Sequence, residues 1–389
     1  MQTERTSWPI IFLLWLAGLG AAAQYGKMSV VFDRLPALYP EAGKAIGLTV
    51  SLVGATGIVL GVVAGLLVAG AGLRRTLIGG LFVGAAVSLY QATLPSFEMF
   101  LVSRLIEGLS HLAIVVAAPT LIARLATPRD SGAALTLWGS FFGVAFALLS
   151  FLGVPLAERS GVAALMGAHG IYMAVFAVAV LWLVPADGAR VRPQLSLRHM
   201  LRTHGRIYAS PWISAPGIGW LFYTFCFVSF LTLVPPFIDE AVRAPVMIAL
   251  PLISIVSSLT LGVFLLRWWP AIRVVLLGFA ASAVCAVALA VFPGDPVLCL
   301  AFAASLGLIQ GASFAAVPQL NEATDARAKA NGAMAQTGNI GNTIGTPLLF
   351  VVLAAGGAGA MMIGLALALV AGGLAHLALS VRRRQERYV

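Results

Sequence analysis

The sequence predicts an all-α polytopic membrane protein with twelve transmembrane helices in two six-helix bundles. Three observations support this fold class: the composition, the recurrence of long apolar segments, and one basic loop in the middle of the chain. Of 389 residues, 60% are hydrophobic and only 10% are charged, and the mean hydropathy is +0.98. Because so apolar a chain cannot cover its surface for water, a soluble globular fold is excluded.

Apolar segments long enough to cross a hydrocarbon core of about 30 Å recur along the whole chain. The predicted helices cover 8–33, 45–71, 76–94, 98–124, 132–156, 163–184, 211–238, 246–266, 271–292, 296–321, 328–354 and 358–381. We interpret the first as a retained helix. The alternative is a signal peptide cleaved near Ala21-Ala22-Ala23, which would leave eleven spans.

The distribution of basic residues predicts the topology. The chain carries 24 Lys and Arg against 14 Asp and Glu. If both termini are cytoplasmic, eighteen cations fall in cytoplasmic segments and four in outer segments, while Lys27 and Arg104 lie inside helices. Cytoplasmic loops accumulate Lys and Arg, so we expect a multi-pass protein of a bacterial-type inner membrane with both termini inside. Basic residues on an otherwise apolar chain do not indicate nucleic-acid binding.

The chain divides into two similar halves. We predict a six-helix bundle at 1–184, a basic cytoplasmic loop at 185–210 and a second six-helix bundle at 211–389. Leu-Ile-Glu-Gly-Leu-Ser at 105–110 recurs as Leu-Ile-Gln-Gly-Ala-Ser at 308–313, in the fourth helix of each half. This placement is typical of a parallel duplication in a transporter.

Two local motifs accompany this organisation. Between helices 2 and 3 stand Gly65, Gly72, Arg74 and Arg75, and helix 4 carries Arg104 four residues before a glycine. With twelve helices and a basic central loop, the chain resembles the major facilitator superfamily over nearly its whole length. The resemblance implies an inner-gate loop at the first motif, whose usual Asp and Arg are replaced here by Ala69 and Gly70. It further implies a substrate cavity lined by helices 1, 4, 7 and 10, and a link between the helix 4 arginine and proton coupling.

Ionisable residues inside helices are the main candidates for function. An ionisable side chain in hydrocarbon costs roughly 2.5–3.5 kcal/mol, so it persists where it is paired or faces a cavity. Arg104, Glu107 and His111 share one face of helix 4, and Lys27 lies at a similar depth in helix 1, roughly 9 Å below the outer boundary. Two cations with one carboxylate leave a positive site, which favours an anionic substrate. The alternative is a buried ion pair that only orients the helices.

Further polar residues complete the candidate site. We predict substrate contacts from Gln24, Lys27, Arg104, His111, Tyr223 and Gln310, and proton coupling at Glu107. Tyr223, Gln310 and Gln24 serve equally well as contacts between helices. Tyr90 and Gln91 are assigned to the outer interface, and His169 and His376 are interpreted as isolated. No cofactor or metal site is predicted.

The predicted function is secondary active transport of a small organic solute, leaning towards an anion, by alternating access with a proton or other coupling ion. The alternative is an efflux antiporter for hydrophobic or cationic compounds. A membrane-embedded enzyme or a receptor is a third hypothesis. No nucleotide-binding or hydrolase motif is present in the sequence, so no enzyme is predicted. The expected partners are the solute, the coupling ion and the lipid bilayer, without nucleic acid, and the expected state is a monomer.

Overall fold

The computed structural model describes residues 5–127, 129–186 and 197–386. Within these ranges the secondary structure consists of helices and turns, without a strand. The predicted all-α class is thereby confirmed. Helices are the expected solution for an apolar chain, because they pair their backbone N–H and C=O groups within the segment itself.

The first half contains six helices of membrane length. α1 is Trp8–Ser29, α2 is Leu48–Ala71, α3 is Leu73–Gln91 and α4 is Phe97–Leu125. α5 joins Ser131–Gly139, Phe141–Leu148 and the π-helical Leu149–Gly153, and continues into Val154–Leu183. That segment breaks at Gly161, where φ is +84° and ψ is 166°, and α6 follows as 162–183. Only glycine adopts this conformation without strain.

The second half begins with a short helix, Leu197–Ala209, which we call the linker helix. α7 is Ser214–Leu233, α9 is Ala271–Val291 and α10 is Pro296–Leu320. α8 joins Glu240–Ser257, the π-helical Ser258–Gly262 and Val263–Leu266. Thr324–Gln385 is divided at Gly357, with φ +74° and ψ −173°, into α11 (324–356) and α12 (358–385).

The described helices account for the twelve predicted spans. Nine of them are long and apolar enough to cross a membrane. Two of the nine, Phe141–Leu183 and Ala326–Gln385, are 43 and 60 residues long, and each is broken at a glycine, so each supplies two spans. α3 completes the set; it has 19 residues but is less apolar, since it carries Arg74 and Arg75.

Several predicted boundaries differ from the structure: the seventh helix ends at Leu233 instead of residue 238, and the eighth begins at Glu240 instead of residue 246. The first helix ends at Ser29 instead of residue 33, because Asp33, Arg34 and Pro36 follow it and short helical turns lead on to α2. The central basic segment contains the linker helix, where a loop was predicted.

Two compact units are present in the chain. One comprises Met1–Gly43 with Leu52–Ser196, and the other comprises Lys44–Ser51 with Leu197–Val389. The predicted division at 1–184, 185–210 and 211–389 stays a prediction.

Glycines bring helices close together in the second unit. A Cβ atom on Gly341 of α11 would meet the Leu221 carbonyl and the Thr224 hydroxyl of α7, and would lie 2.8 Å from the Phe225 nitrogen. Backbone atoms cannot move aside as a flexible side chain can, so α11 packs here only with glycine.

We expect Gly341→Ala to lower the free energy of unfolding by about 1–3 kcal/mol, as overpacking typically does. The matched control is Gly332→Ala on the same helix, where a Cβ would meet nothing within 4 Å. That control should be neutral or slightly stabilising, because alanine favours helix. Thermal unfolding of the purified variants measures both, and equal melting temperatures would contradict the packing role of Gly341.

Candidate substrate and coupling site

Lys27, Arg104 and Glu107 meet inside the first unit, where all three side chains are fully buried. Lys27 comes from α1, whereas Arg104 and Glu107 lie one turn apart on α4. The sequence predicted this meeting from the shared helix face and the matching depth. We call these three residues the charged triad.

The Glu107 carboxylate joins the two cations. Lys27 Nζ donates a hydrogen bond of 2.6 Å to Glu107 Oε1, and an Arg104 Nη donates to Oε2. Gln91 of α3 adds a third donor, at 2.9 Å from Oε2. A second Arg104 nitrogen donates to the Gln24 carbonyl at 2.7 Å, which fixes the guanidinium to α1.

The Lys27 ammonium has three donor protons and an acceptor for each. Besides Glu107 it donates to Ser88 Oγ at 2.8 Å and to Gln91 Oε1 at 2.7 Å. His169 Nδ1 of α6 lies 3.3 Å away. Because the buried ammonium is fully hydrogen-bonded, it avoids much of the cost of leaving water.

Both histidines beside the triad hold their ring protons in defined positions. His169 Nε2 lies 2.9 Å from the Gly20 carbonyl, an acceptor, so Nε2 carries the proton and Nδ1 is free to accept. Nδ1 then receives the Ser88 hydroxyl proton at 2.8 Å. His111 faces the Ala21 carbonyl through Nδ1 at 3.0 Å and donates from that nitrogen. Both are neutral in this arrangement, because each has an acceptor for one ring proton and burial disfavours a further charge.

Small residues allow the four helices to meet at this depth. A Cβ on Gly84 of α3 would lie 2.6 Å from Ser110 Oγ and 3.0 Å from Gln24 Nε2. A Cβ on Gly170 of α6 would lie 2.8 Å from Leu89. Gln24 uses the space at Gly84 to donate to Ser110 Oγ at 2.8 Å, and its Oε1 has no hydrogen-bond partner among the described residues.

The triad and its neighbours carry an excess of one positive charge. Ser88, Gln91, Gln24 and the two histidines add none, and the two cations share a single carboxylate. A charge buried at low dielectric interacts strongly with any charged group that approaches it.

The predicted residues of the second half lie in the second unit. Tyr223 of α7 is buried in an aromatic stack, with ring centroids 4.6 Å from Trp220 and 5.4 Å from Phe227. Gln310 of α10 is partly buried, and no hydrogen bond links it to another described residue. Both stay candidate substrate contacts.

The predicted inner-gate loop is a turn of one residue. Gly72, with φ +96°, separates α2 from α3, and its carbonyl accepts from the Thr76 backbone at 3.0 Å. Arg74 donates to the Leu181 carbonyl at the end of α6 at 2.5 Å, whereas Arg75 is exposed. Gly65 lies in α2.

Three members of the cluster, Gln91, His169 and Ser88, were not predicted from the sequence. Gln91 was assigned to the outer interface, which is wrong, because it is fully buried and donates to Glu107. His169, interpreted as isolated, contacts Ser88 and Lys27, so that interpretation is also wrong. One sequence pattern could have indicated that α3 contributes to the cluster: Ser88 and Gln91 are three residues apart and therefore lie on one face of that helix. In the described residues, no group of three or more His, Cys, Asp or Glu is placed to hold a metal ion.

We expect a triad variant to be less stable the larger the net charge that it leaves in the buried cluster. Glu107→Gln leaves two buried cations unbalanced and should cost about 3–5 kcal/mol of unfolding free energy. Lys27→Met leaves the neutral Arg104–Glu107 pair and should cost less. Thermal unfolding in detergent measures both, and a Lys27→Met variant as unstable as Glu107→Gln would contradict the charge argument.

Known proteins resemble this chain at the level of family and fold. Inner membrane transport protein YajR of Escherichia coli (strain K12) is 28% identical over 190 residues, covering 48% of this chain. The chain spans only 40% of that relative's length. Crystal structures of a bacterial homologue of the human lysosomal transporter Spinster share the fold at 13% identity. Its inward-facing, occupied form has a TM-score of 0.74 and 97% of each chain covered; its unoccupied form has 0.70, with 97% and 96% covered.

The family follows from a match over most of the sequence. The model described as Major Facilitator Superfamily matches residues 14–346. This confirms the family, and the fold is that of a multi-pass membrane protein with twelve helices. The chain belongs to the Major Facilitator Superfamily.

Proposed function

We propose that the protein is a secondary active transporter that moves a small organic anion across the inner membrane by alternating access. The observation that carries this proposal is the excess positive charge of Lys27, Arg104 and Glu107 in a buried cluster. Ionisable groups kept inside a membrane domain usually mark a substrate or ion pathway. This excess would attract an anion.

Glu107 is the group that would exchange the coupling proton. Its two oxygens accept from both cations, so protonation would weaken both ion pairs at once. Protonation therefore changes how strongly α1 is held to α4. A change of this kind can bias one conformational state over another when it acts on a contact that differs between them.

The second unit would bind the uncharged part of the substrate. Tyr223 offers a hydroxyl at the edge of an aromatic stack, and Gln310 offers an amide without a hydrogen bond to another described residue. Gln24 and His111 would complete the polar contacts near the triad. The turn at Gly72, with Gly65 in α2 before it and Arg74 and Arg75 in α3 after it, would act as the inner-gate loop.

We expect Arg104→Ala to lose transport of the anion while the protein still folds. Loss of a buried charged contact costs about 2–5 kcal/mol, which corresponds to about 30-fold or more in apparent affinity. The control is Arg34→Ala, because Arg34 forms a partly exposed ion pair with Glu158 at 3.1 Å. Uptake of labelled small carboxylates into proteoliposomes measures both variants.

Two results of this assay would contradict the proposal. Full uptake in Arg104→Ala would remove the triad from the pathway. Movement of lipophilic cations without any anion would favour the alternative of an efflux antiporter, which the aromatic stack around Tyr223 would also serve.

We also propose that both termini are cytoplasmic and that the protein acts as a monomer. An alkaline phosphatase fusion after residue 161, at the turn between α5 and α6, should be active outside. A fusion after residue 209, at the end of the linker helix, should be inactive. The reverse pattern would overturn the topology that the basic residues predict.

A further inference from the structure

We propose that the substrate is a monocarboxylate which replaces Glu107 on Lys27 and Arg104, and that Glu107 takes up one proton in the same step. The inference rests on the proposed anion transport and names its substrate class and its stoichiometry.

The Glu107 carboxylate occupies the position where an anion would bind. Each of its oxygens accepts from a different cation, Oε1 from Lys27 at 2.6 Å and Oε2 from Arg104. The two cations therefore already hold one carboxylate group in a bridging geometry. A substrate carboxylate has the same shape and the same acceptors, so it can occupy this bridge.

Because of the hydrogen bonds that Lys27 already makes, a substrate carboxylate must displace Glu107 and cannot simply bind beside it. Its three protons are used on Ser88, Gln91 and Glu107, at 2.8, 2.7 and 2.6 Å. An ammonium has no fourth proton to offer. A second carboxylate can bind Lys27 closely only if Glu107 leaves.

The charge of the neighbours selects a monoanion. Around the triad stand neutral side chains: Ser88, Gln91, Gln24 and two histidines that donate to backbone carbonyls. A dicarboxylate would bring a second negative group that faces none of the cluster's cations. An unpaired charge buried at this depth is strongly unfavourable.

Ser88 and His169 provide an acceptor for the proton of Glu107. His169 Nε2 donates to the Gly20 carbonyl, which leaves Nδ1 to accept the Ser88 hydroxyl proton at 2.8 Å. With its proton donated to His169, the Ser88 oxygen accepts from Lys27 at 2.8 Å and, lying 3.4 Å from Glu107 Oε1, has a second lone pair for a proton on that carboxyl group. Every other group that contacts the carboxylate is a donor, so Ser88 is the residue that a protonated Glu107 can donate to.

The step conserves atoms and charge. A hydronium ion from the aqueous side gives its proton to Glu107 and leaves as water, and the substrate carboxylate accepts from Lys27 and Arg104. The cluster holds one positive charge before the step and one after it. The charged and titratable groups that face Glu107 are Lys27 of α1, His169 of α6, and Arg104 and His111 of its own helix; α3 faces it with neutral Ser88 and Gln91. The sequence of α2 has no titratable residue.

Calorimetric titration of the full chain in detergent tests the proposal with benzoate, its neutral counterpart benzyl alcohol, and the dianion phthalate. We expect benzoate to bind and the other two to bind far more weakly. Linkage to one proton requires the apparent affinity for benzoate to rise about tenfold for each unit decrease in pH. Repeating the titration in buffers of different ionisation enthalpy counts the protons directly, and we expect about one per benzoate.

Variants assign the proton to Glu107. Glu107→Gln should bind benzoate with no proton uptake and no pH dependence. Ser88→Ala should lose the pH dependence, while Ser88→Thr, which keeps the hydroxyl, should retain it. Ser282→Ala is the matched control, since Ser282 is a fully buried serine of the second unit that donates to Ser305 at 3.0 Å. If Glu107→Gln does not fold, the proton count on the native chain and the Ser88 pair decide the question.

The outcomes separate this inference from the proposed function. Benzoate binding without proton uptake, or phthalate binding as tightly as benzoate, would overturn the inference and leave anion transport standing. Equal binding of benzyl alcohol, or no benzoate binding, would also overturn it. Binding of tetraphenylphosphonium together with no binding of any anion would overturn both proposals.

Discussion

The first unit depends on the neutralisation of charge at low dielectric. Lys27, Arg104 and Glu107 lie at a depth where a lone ion would be very costly, so each is held by partners on other helices. These bonds tie α1, α3, α4 and α6 to one another. A proton or an anion that changed one member of the triad would therefore alter the electrostatic balance of all three.

Small residues make these bonds possible. Gly84 and Gly170 let helices approach closely enough for short polar side chains to bridge them. Ser88, Ser110 and Gln24 reach their partners only at such distances. The polar network and the glycine contacts therefore depend on each other. Close packing positions the hydrogen-bond donors, and the hydrogen bonds they form lower the free-energy cost of burying the charges.

The two halves use the same scaffold with different chemistry. Gly108 of α4 packs on α2, with Val53 and Thr56 at its surface, and Gly311 of α10 packs on Ser258 of α8. In the sequence repeat that aligns these glycines, however, Gln310 is equivalent to Glu107 and Gly307 is equivalent to Arg104. The two equivalent helices thus share their packing glycines, while Arg104 and Glu107 have uncharged counterparts in the second half.

The sequence by itself determined the class of the protein, the twelve spans and the family, because apolar length and charge distribution report directly on a bilayer. It also placed Lys27, Arg104, Glu107 and His111 together, since helical periodicity and depth can be counted along a chain. Only the tertiary structure decided that Gln91 and His169 join them. The hydrogen-bond partners of each lie 12 or more residues away, on other helices whose rotation no local pattern records. The role of Ser88 could not be predicted for the same reason, because its hydroxyl is oriented by His169 on another helix.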